Sequence, residues 1–192
     1  MTRFIVLGLI LVGVAACAEA GTSNAGASPV TSGSASDPAS AAAAGQSSQS
    51  GRCHTGELEV TAQAAPGGGA AGSVYTWLVF TNASGRACTL YGYPGVSWVT
   101  GADGQQVNQP AERDPSGKPA TVTLRPGGAA HAQVRAGHPD MFPDICEPVP
   151  VAGYRVYPPD ETSALFVPAA GRQCSADGVN RAVVEPIATA GS

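Results

Sequence analysis

The chain has 192 residues and a formal net charge of −4, and only 12% of its side chains are charged. A nucleic-acid-binding domain normally carries a basic stripe, so this balance argues against a nucleic-acid partner. The 25 Gly and 16 Pro residues favour many turns and some part of the chain without a hydrophobic core. No catalytic or cofactor-binding motif identifies a molecular activity.

The N-terminal residues have the pattern of a secretion signal. Arg3 precedes the uncharged segment 4–16, which is shorter than the roughly 20 apolar residues of a membrane span. Small residues stand directly before Cys17, as in the lipobox of bacterial lipoproteins. We predict a lipoprotein signal peptide at residues 1–16 and a diacylglycerol on the thiol of Cys17. The alternative is an ordinary secretory signal that is cleaved near Ala16 or Ala18.

The next segment, residues 17–51, begins at the lipidated cysteine and is predicted to be a disordered linker. Ten Ala, nine Ser and five Gly occur among the 34 residues from Ala18 to Gly51. Such side chains bury too little surface to offset the loss of backbone entropy. A lipid with two or more acyl chains gives stable anchoring. We therefore expect the protein on the extracytoplasmic face of the cell membrane, held there through its N-terminal lipid.

Residues 52–192 are predicted to form one β-sandwich domain, because their apolar residues alternate with a period of two. No window of twelve residues has a helical pattern. The segment 74–81 is apolar on both faces, which indicates a central strand. The fold class is therefore all-β, a single immunoglobulin-like antiparallel β-sandwich. The predicted strands are 58–62, 74–81, 96–98, 105–108, 122–124, 130–135, 154–157, 164–167 and 182–187.

Four cysteines remain in this domain after Cys17: Cys53, Cys88, Cys146 and Cys174. An oxidising compartment favours two disulfides, and four cysteines allow three pairings. The pairing with the shorter, non-crossing loops is Cys53–Cys88 and Cys146–Cys174, which we favour. Zinc is the alternative, but the sequence has no pair of cysteines with two to four residues between them.

A set of motifs in this domain resembles the actinobacterial domain of unknown function 4232 (DUF4232), which occurs in secreted proteins and lipoproteins. The resemblance covers roughly Cys53 to Ile187. It implies a β-sandwich with a four-cysteine framework and brings no catalytic residues. The motifs are Cys53, Thr81-Asn82-Ala83-Ser84, the block from Cys88 to Val96, Leu124-Arg125-Pro126-Gly127-Gly128, and the two late cysteines.

Catalytic chemistry has weak support in the sequence. The common hydrolase, metalloprotease, phosphate-binding and dinucleotide-binding motifs are missing. A triad could be assembled from Ser97, His131 or His138, and Asp140, but no pattern places them together. His131 falls on the polar face of its strand and is expected to be solvated. We predict no enzyme activity, no cofactor and no metal.

The segment from His138 to Pro148 is an unusually long predicted loop, and such loops often carry function. Met141 and Phe142 could form a recognition surface there. Its acids, Asp140, Asp144 and Glu147, could form a weak calcium site. In a purely structural role, Phe142 and Ile145 would cover one end of the core.

Aromatic residues around the Gly-Tyr-Pro-Gly turn form a second candidate surface. Tyr91, Tyr93 and Trp98 could make a ligand platform, or could close the edge of the core. Together these features predict a non-enzymatic envelope lipoprotein that binds an envelope protein or a cell-wall glycan. The alternatives are a small-ligand-binding or sensor lipoprotein and, with less support, an envelope hydrolase.

Overall fold

Twelve β-strands and two single-turn 3-10 helices form in residues 51–70 and 72–189, the part of the chain that the computed structural model describes. The predicted signal peptide, the lipidation at Cys17 and the linker up to residue 50 lie outside these residues. None of the helical turns in the described part has the length or the apolarity of a membrane-spanning helix. The strands are β1 (Leu58–Ala70), β2 (Ser73–Asn82), β3 (Cys88–Leu90), β4 (Gly95–Val99), β5 (Gln106–Val107), β6 (Glu112–Arg113), β7 (Val122–Leu124), β8 (Ala129–Gly137), β9 (Pro148–Tyr157), β10 (Leu165–Cys174), β11 (Val183–Val184) and β12 (Ala188–Thr189).

The larger sheet has the order β1-β2-β8-β11-β6, and β12 also pairs with β8. Strand β2 lies between β1 and β8, so the central position predicted from its two apolar faces is confirmed. All pairs in this sheet are antiparallel except β11 with β6.

The smaller sheet has the order β10-β9-β4-β5 and is antiparallel throughout. The hairpin predicted at residues 101–104 joins β4 to β5, where Trp98 pairs with Val107. A separate two-stranded ladder, β3 with β7, carries Cys88 opposite Leu124.

The two sheets share one hydrophobic core. From the larger sheet, Leu78 and Phe80 are fully buried, and from the smaller sheet Val156 and Val167 are fully buried against the same cluster. Alternation along a strand directs every second side chain to one face, so two such faces enclose the core. The all-β sandwich predicted from the period of two is confirmed.

Several strands differ in length from the sequence prediction. Strands β9 and β10 are ten residues each, much longer than the predicted segments 154–157 and 164–167. Their extensions contain proline and glycine, which hide the alternation of apolar residues. The predicted strand 182–187 is shorter in the structure, where only Val183 and Val184 form a paired strand, β11. Strands β3 and β6 were not predicted, because two or three residues are too short to show a period.

Both disulfides form with the favoured pairing, which is confirmed. Cys53 and Cys88 join the residues before β1 to β3, with 4.8 Å between their Cα atoms. Cys146 and Cys174 join the loop after β8 to the end of β10, at 4.6 Å. All four cysteines are fully buried. The second disulfide therefore holds the long loop against the smaller sheet.

The carboxylate of Glu161, in the loop between β9 and β10, holds the residues that precede β1. Glu161 accepts hydrogen bonds from the backbone nitrogen of Thr55 at 3.0 Å and from its hydroxyl at 2.9 Å. Arg52 lies 3.1 Å from the same carboxylate, and His54 lies 3.2 Å from it. These contacts, led by the backbone hydrogen bond of Thr55, lower the pKa of Glu161 to about 2.

Candidate ligand-binding cleft

An open cleft of about 470 Å³ lies between the two sheets, where edge strand β1 of one sheet faces edge strand β10 of the other. The end of β8 and the residues that follow it close one side. Small-molecule sites in proteins commonly have volumes of about 300–1,000 Å³. The cleft therefore has the size and position of a binding site at the margin of a sandwich.

Two irregularities in the sheets shape the cleft. The pairing of β1 with β2 shifts register between Ala64 and Gly69, and that of β10 with β9 shifts between Pro168 and Gly171. Such shifts bend the strand in which they occur. Both irregular segments border the cleft, and small residues such as Ala62 line its walls. Few large side chains fill the gap between the bent edges, so the space stays open.

Two aromatic residues lie at the inner end of the cleft. Trp98 of β4 and Tyr154 of β9 are paired residues on adjacent strands. Their ring centroids are 5.3 Å apart and the ring planes are inclined by 46°. Burial raises the pKa of Tyr154, and side-chain hydrogen bonds with Thr76 and Trp98 oppose that effect. The inner wall is therefore apolar and aromatic, with a phenol that stays neutral.

A buried polar network borders the cleft beside this aromatic pair. Gln173 is only 2% exposed. Its amide oxygen accepts hydrogen bonds from the backbone nitrogen of Cys174 at 2.8 Å and from Nδ2 of Asn180 at 2.9 Å. Asn180 also bonds both backbone groups of Gly137 at 2.6 Å. A Cβ at Gly137 would lie 2.7 Å from the Asn180 oxygen, so glycine permits this close approach.

Charged side chains surround the mouth of the cleft. Nδ1 of His138 lies 3.4 Å from a carboxylate oxygen of Asp140, and a guanidinium nitrogen of Arg172 lies 4.0 Å from the other oxygen. All three side chains are more than half exposed. Loose, solvated pairs of this kind contribute little to stability, so these groups remain available to a ligand.

The predicted aromatic platform does not form one surface. Trp98 is buried in the cleft. Tyr93 precedes β4 at the end of that strand away from Trp98. Its hydroxyl donates to the carbonyl oxygen of Asp114 at 2.9 Å, and the guanidinium of Arg113 lies 5.7 Å from its ring centroid. Tyr91 is exposed. Trp98 thus borders the cleft, and the two tyrosines lie elsewhere.

The long loop after β8 contributes to the mouth of the cleft. Met141 is exposed and lies against Gly72, where an added Cβ would be 2.8 Å from its Cγ. Phe142 is half-buried against Gly137. Ile145 is exposed, so the expectation that it covers the core is wrong. The loop packs beside the cleft through Phe142 and leaves Met141 and Ile145 in solvent.

The structure does not assemble the imagined triad. Ser97 lies on the face of its sheet opposite the core residues Val96 and Trp98. His131 lies on the outer face of the other sheet, so both layers of the sandwich separate the two residues. His138 and Asp140 lie at the cleft. Within residues 51–70 and 72–189, no three carboxylates, histidines or cysteines are grouped as metal ligands, and this holds for Asp140, Asp144 and Glu147.

His131 is buried, which corrects the expectation that it is solvated. Its imidazole stacks on the indole of Trp77, and its Nδ1 has no hydrogen-bond partner. Alternation placed it on the outer face correctly, but a large neighbouring side chain covers it there.

Sequence reasoning missed most of the cleft, including Tyr154, Arg172 and Gln173, and it missed Asn180, which holds Gln173. Glycine and proline within a strand often indicate a bulge. Gly67-Gly68-Gly69 and the segment from Pro168 to Gly171 carried that pattern. The pattern could have located the two bends, but not the fact that they face each other.

A family model described as "Domain of unknown function (DUF4232)" matches residues 53–188. No curated protein and no solved structure gives a significant match to the chain.

Proposed function

The chain belongs to the family Domain of unknown function (DUF4232), and from this premise we propose that it is a lipid-anchored, non-enzymatic binding domain of the cell envelope. We further propose that it takes a small ligand into the cleft between its two sheets. Of the functions that the sequence analysis considered, we thus favour the binding of a small ligand, which was the alternative there. The docking of a protein or glycan becomes the second candidate.

The single observation that supports ligand binding is the cleft itself. It combines a volume of about 470 Å³, an apolar inner wall with Trp98 and Tyr154, and a few polar groups that converge on it. Ligand sites typically pair mostly apolar walls with a small number of placed polar groups. The bends in β1 and β10 hold the space open without a ligand.

Anchoring in the envelope rests on the N-terminal sequence. The lipobox predicts a lipid on Cys17, and the 34-residue linker would let the domain move above the membrane. Two buried disulfides agree with an oxidising compartment outside the cytoplasm. The lipid attaches the protein to the membrane, and the cleft would meet ligands in the envelope.

A non-enzymatic role is favoured by the arrangement of the candidate catalytic residues. A hydrolase of the predicted type needs a histidine within hydrogen-bond reach of a nucleophile. His138 contacts Asp140, and no hydroxyl among the described residues hydrogen-bonds to its ring. The groups at the mouth are therefore suited to binding and orientation.

The cleft is tested by filling it. Ala64→Trp would place an indole into the open space, whereas Ala102→Trp adds the same side chain to the exposed turn between β4 and β5. A library of small envelope metabolites is screened by the shift in melting temperature. We expect compounds that stabilise the wild type and the Ala102 variant but not the Ala64 variant. Equal stabilisation of both variants would place the binding site outside the cleft.

Anchoring is tested separately with Cys17→Ser. The variant cannot carry the thioether-linked lipid, so we expect it to be lost from the membrane fraction and from the detergent phase. A detergent-phase partition that is unchanged from the wild type would contradict the lipid anchor. Ser23→Ala, a change in the linker that leaves Cys17 in place, is the matched control.

A second candidate function is docking of an envelope protein or cell-wall glycan around the mouth of the cleft. Val74, Met141 and Ile145 are exposed apolar side chains, and the first two lie beside the cleft. In-cell crosslinking of the lipidated protein tests this alternative. A single dominant partner that is lost in Met141→Ser and retained in Tyr91→Ser would support it.

A further inference from the structure

We propose that the ligand of the cleft is an amphipathic acid, with an apolar body and a terminal carboxylate or similar oxyanion. The apolar body would lie against Trp98 and Tyr154, and the oxyanion would be held by Gln173 and Arg172. This inference rests on the proposed function, because it names the ligand class of the same cleft.

The first observation is the orientation of the Gln173 amide. Its oxygen is already occupied by two donors, the backbone nitrogen of Cys174 and the side chain of Asn180. Its amide nitrogen donates to no group among the described residues. Among the described residues, His131 Nδ1 is the side-chain nitrogen that is both shielded from solvent and without a hydrogen-bond partner. The unpartnered Gln173 nitrogen is not in that class, so it is not fully shielded. Gln173 lines the cleft, and in the proposed complex its free N–H groups face that space.

The network around Gln173 determines which end of the amide faces the ligand. If the amide were rotated by half a turn, its nitrogen would face the two donors, the backbone nitrogen of Cys174 and Nδ2 of Asn180. Both hydrogen bonds would then be lost. Asn180 is itself held by both backbone groups of Gly137, and the Cys146–Cys174 disulfide anchors the adjacent residue. A fixed donor costs little conformational entropy when it binds an acceptor. The cleft therefore presents a preorganised donor, which requires an acceptor oxygen on the ligand.

The second observation is the charge at the mouth. Arg172, the residue before this donor, also borders the cleft, and its side chain is 60% exposed. Its nearest carboxylate, on Asp140, is 4.0 Å away and 70% exposed. That contact is too loose to neutralise the guanidinium at the cleft, and a ligand carboxylate beside Gln173 would be better shielded from water. Arg172 and Gln173 are thus two adjacent residues at the cleft that can donate to an oxyanion, and the Asp140 carboxylate at the mouth is the group with which that oxyanion competes for Arg172.

The third observation is the apolar inner wall. The rings of Trp98 and Tyr154 together with small aliphatic residues form most of the lining. Such a wall favours an aliphatic or aromatic body over a strongly hydrated one. A ligand with both properties has an apolar body and one anionic end.

The test uses three probes that share one apolar body: phenylbutyrate, phenylbutanol and phenylbutylamine. Each is titrated calorimetrically into the full chain carrying Cys17→Ser at pH 8. We expect phenylbutyrate to bind at least tenfold more tightly than the alcohol or the amine. Trp98 fluorescence in a Trp77→Phe background reports whether the body reaches the inner wall, because the chain has two tryptophans.

Two variants assign the acid preference to the proposed residues. Arg172→Gln removes one exposed charge and should lower phenylbutyrate affinity about tenfold, with no change for the alcohol. Gln173→Glu keeps both accepted hydrogen bonds and replaces the free donor with an acceptor, so it should lose phenylbutyrate binding and favour the amine. Arg125→Gln, an exposed arginine away from the cleft, is the matched control.

The outcomes separate this inference from the function on which it rests. Equal or tighter binding of the alcohol or amine overturns the acid class while the cleft remains a binding site. An acid preference that survives both variants overturns the assignment of the oxyanion to Arg172 and Gln173. No binding of any probe also overturns the acid class, and the cleft-filling variants then decide the proposed function independently.

Discussion

The imidazole of His131 stacks on the indole of Trp77, with ring centroids 4.2 Å apart and ring planes inclined by 23°. The two residues are diagonal neighbours on paired strands, since His131 is opposite Val79 and Trp77 is opposite Gln133. The stack covers a histidine on the outer face of a sheet and leaves its Nδ1 without a partner. A titratable group is thus buried outside the core.

This burial predicts a dependence of stability on pH. Desolvation lowers the pKa of folded His131 from 6.5, and the nearby Glu185 opposes the effect. The unfolded chain therefore binds a proton before the folded chain does as pH falls below about 6.5. His131 therefore makes its full contribution to the free energy of unfolding above about pH 6.5. The contribution declines as the pH falls from there to the lower pKa of the folded state.

Thermal unfolding between pH 7.5 and 5 measures the effect. His131→Phe retains an aromatic ring beside Trp77 and removes the titration, so its melting temperature should change less over this range. Ala102→Ser, at an exposed position that does not titrate, should leave the slope of the wild type intact. A slope that His131→Phe does not reduce would contradict the assignment.

Glu161 predicts a second, more acidic transition. Its pKa is about 2 in the folded protein and has an ordinary value of 4.5, so its contribution is present above pH 4.5 and is lost as pH falls toward 2. Glu161→Gln removes the charged acceptor for Thr55 and the partner of Arg52. We expect a loss of about 1–2 kcal/mol at pH 7, because a few charge-assisted hydrogen bonds disappear.

The measurement is urea unfolding at pH 7 and pH 3. The difference between wild type and Glu161→Gln should shrink at the lower pH. Glu59→Gln, at an exposed position on β1, serves as the control. An equal difference at both pH values would show that the loss is steric and not electrostatic.

Two glycines beside the cleft should respond differently to alanine. A Cβ at Gly153 of β9 would lie 2.2 Å from the carbonyl oxygen of Val167, whereas a Cβ at Gly171 meets nothing within 4 Å. Gly153→Ala must therefore displace strand β10 and should cost about 1–3 kcal/mol. Gly171→Ala should change the free energy of unfolding by less than about 0.5 kcal/mol. Denaturant titration of both variants checks this, and a tolerated Gly153→Ala would contradict the close approach of β9 and β10.

The two disulfides should separate stability from binding. Each closes a loop of similar length, with sequence separations of 35 and 28, so replacing either pair by alanine should cost about 3–4 kcal/mol. Only the Cys146–Cys174 bridge adjoins Gln173. Loss of that bridge should weaken ligand binding in the cleft at temperatures where both variants remain folded. If both variants bind equally well, Gln173 does not depend on the disulfide for its position.

The local pattern of the sequence determined the class of the fold and several of its strands. Alternation over 74–81 indicated the central strand β2, because both faces of a buried strand are apolar. Cysteine spacing favoured the pairing that forms, and the motif block from Cys88 to Val96 pointed to the family that the comparison found. Each of these features depends on residues that are close in the chain or on cysteine chemistry.

The cleft was decided only by the tertiary structure. Residues 71–164 separate strands β1 and β10 in the sequence, and the two strands face each other only because they are the edges of two stacked sheets. Gln173 is an ordinary polar residue in the sequence, and it becomes an oriented donor when Asn180 and Gly137 pack beside it. Alternation assigns a residue to a face of its own strand. It carries no information on which distant strand will lie opposite, so long-range packing placed both the cleft and the buried His131.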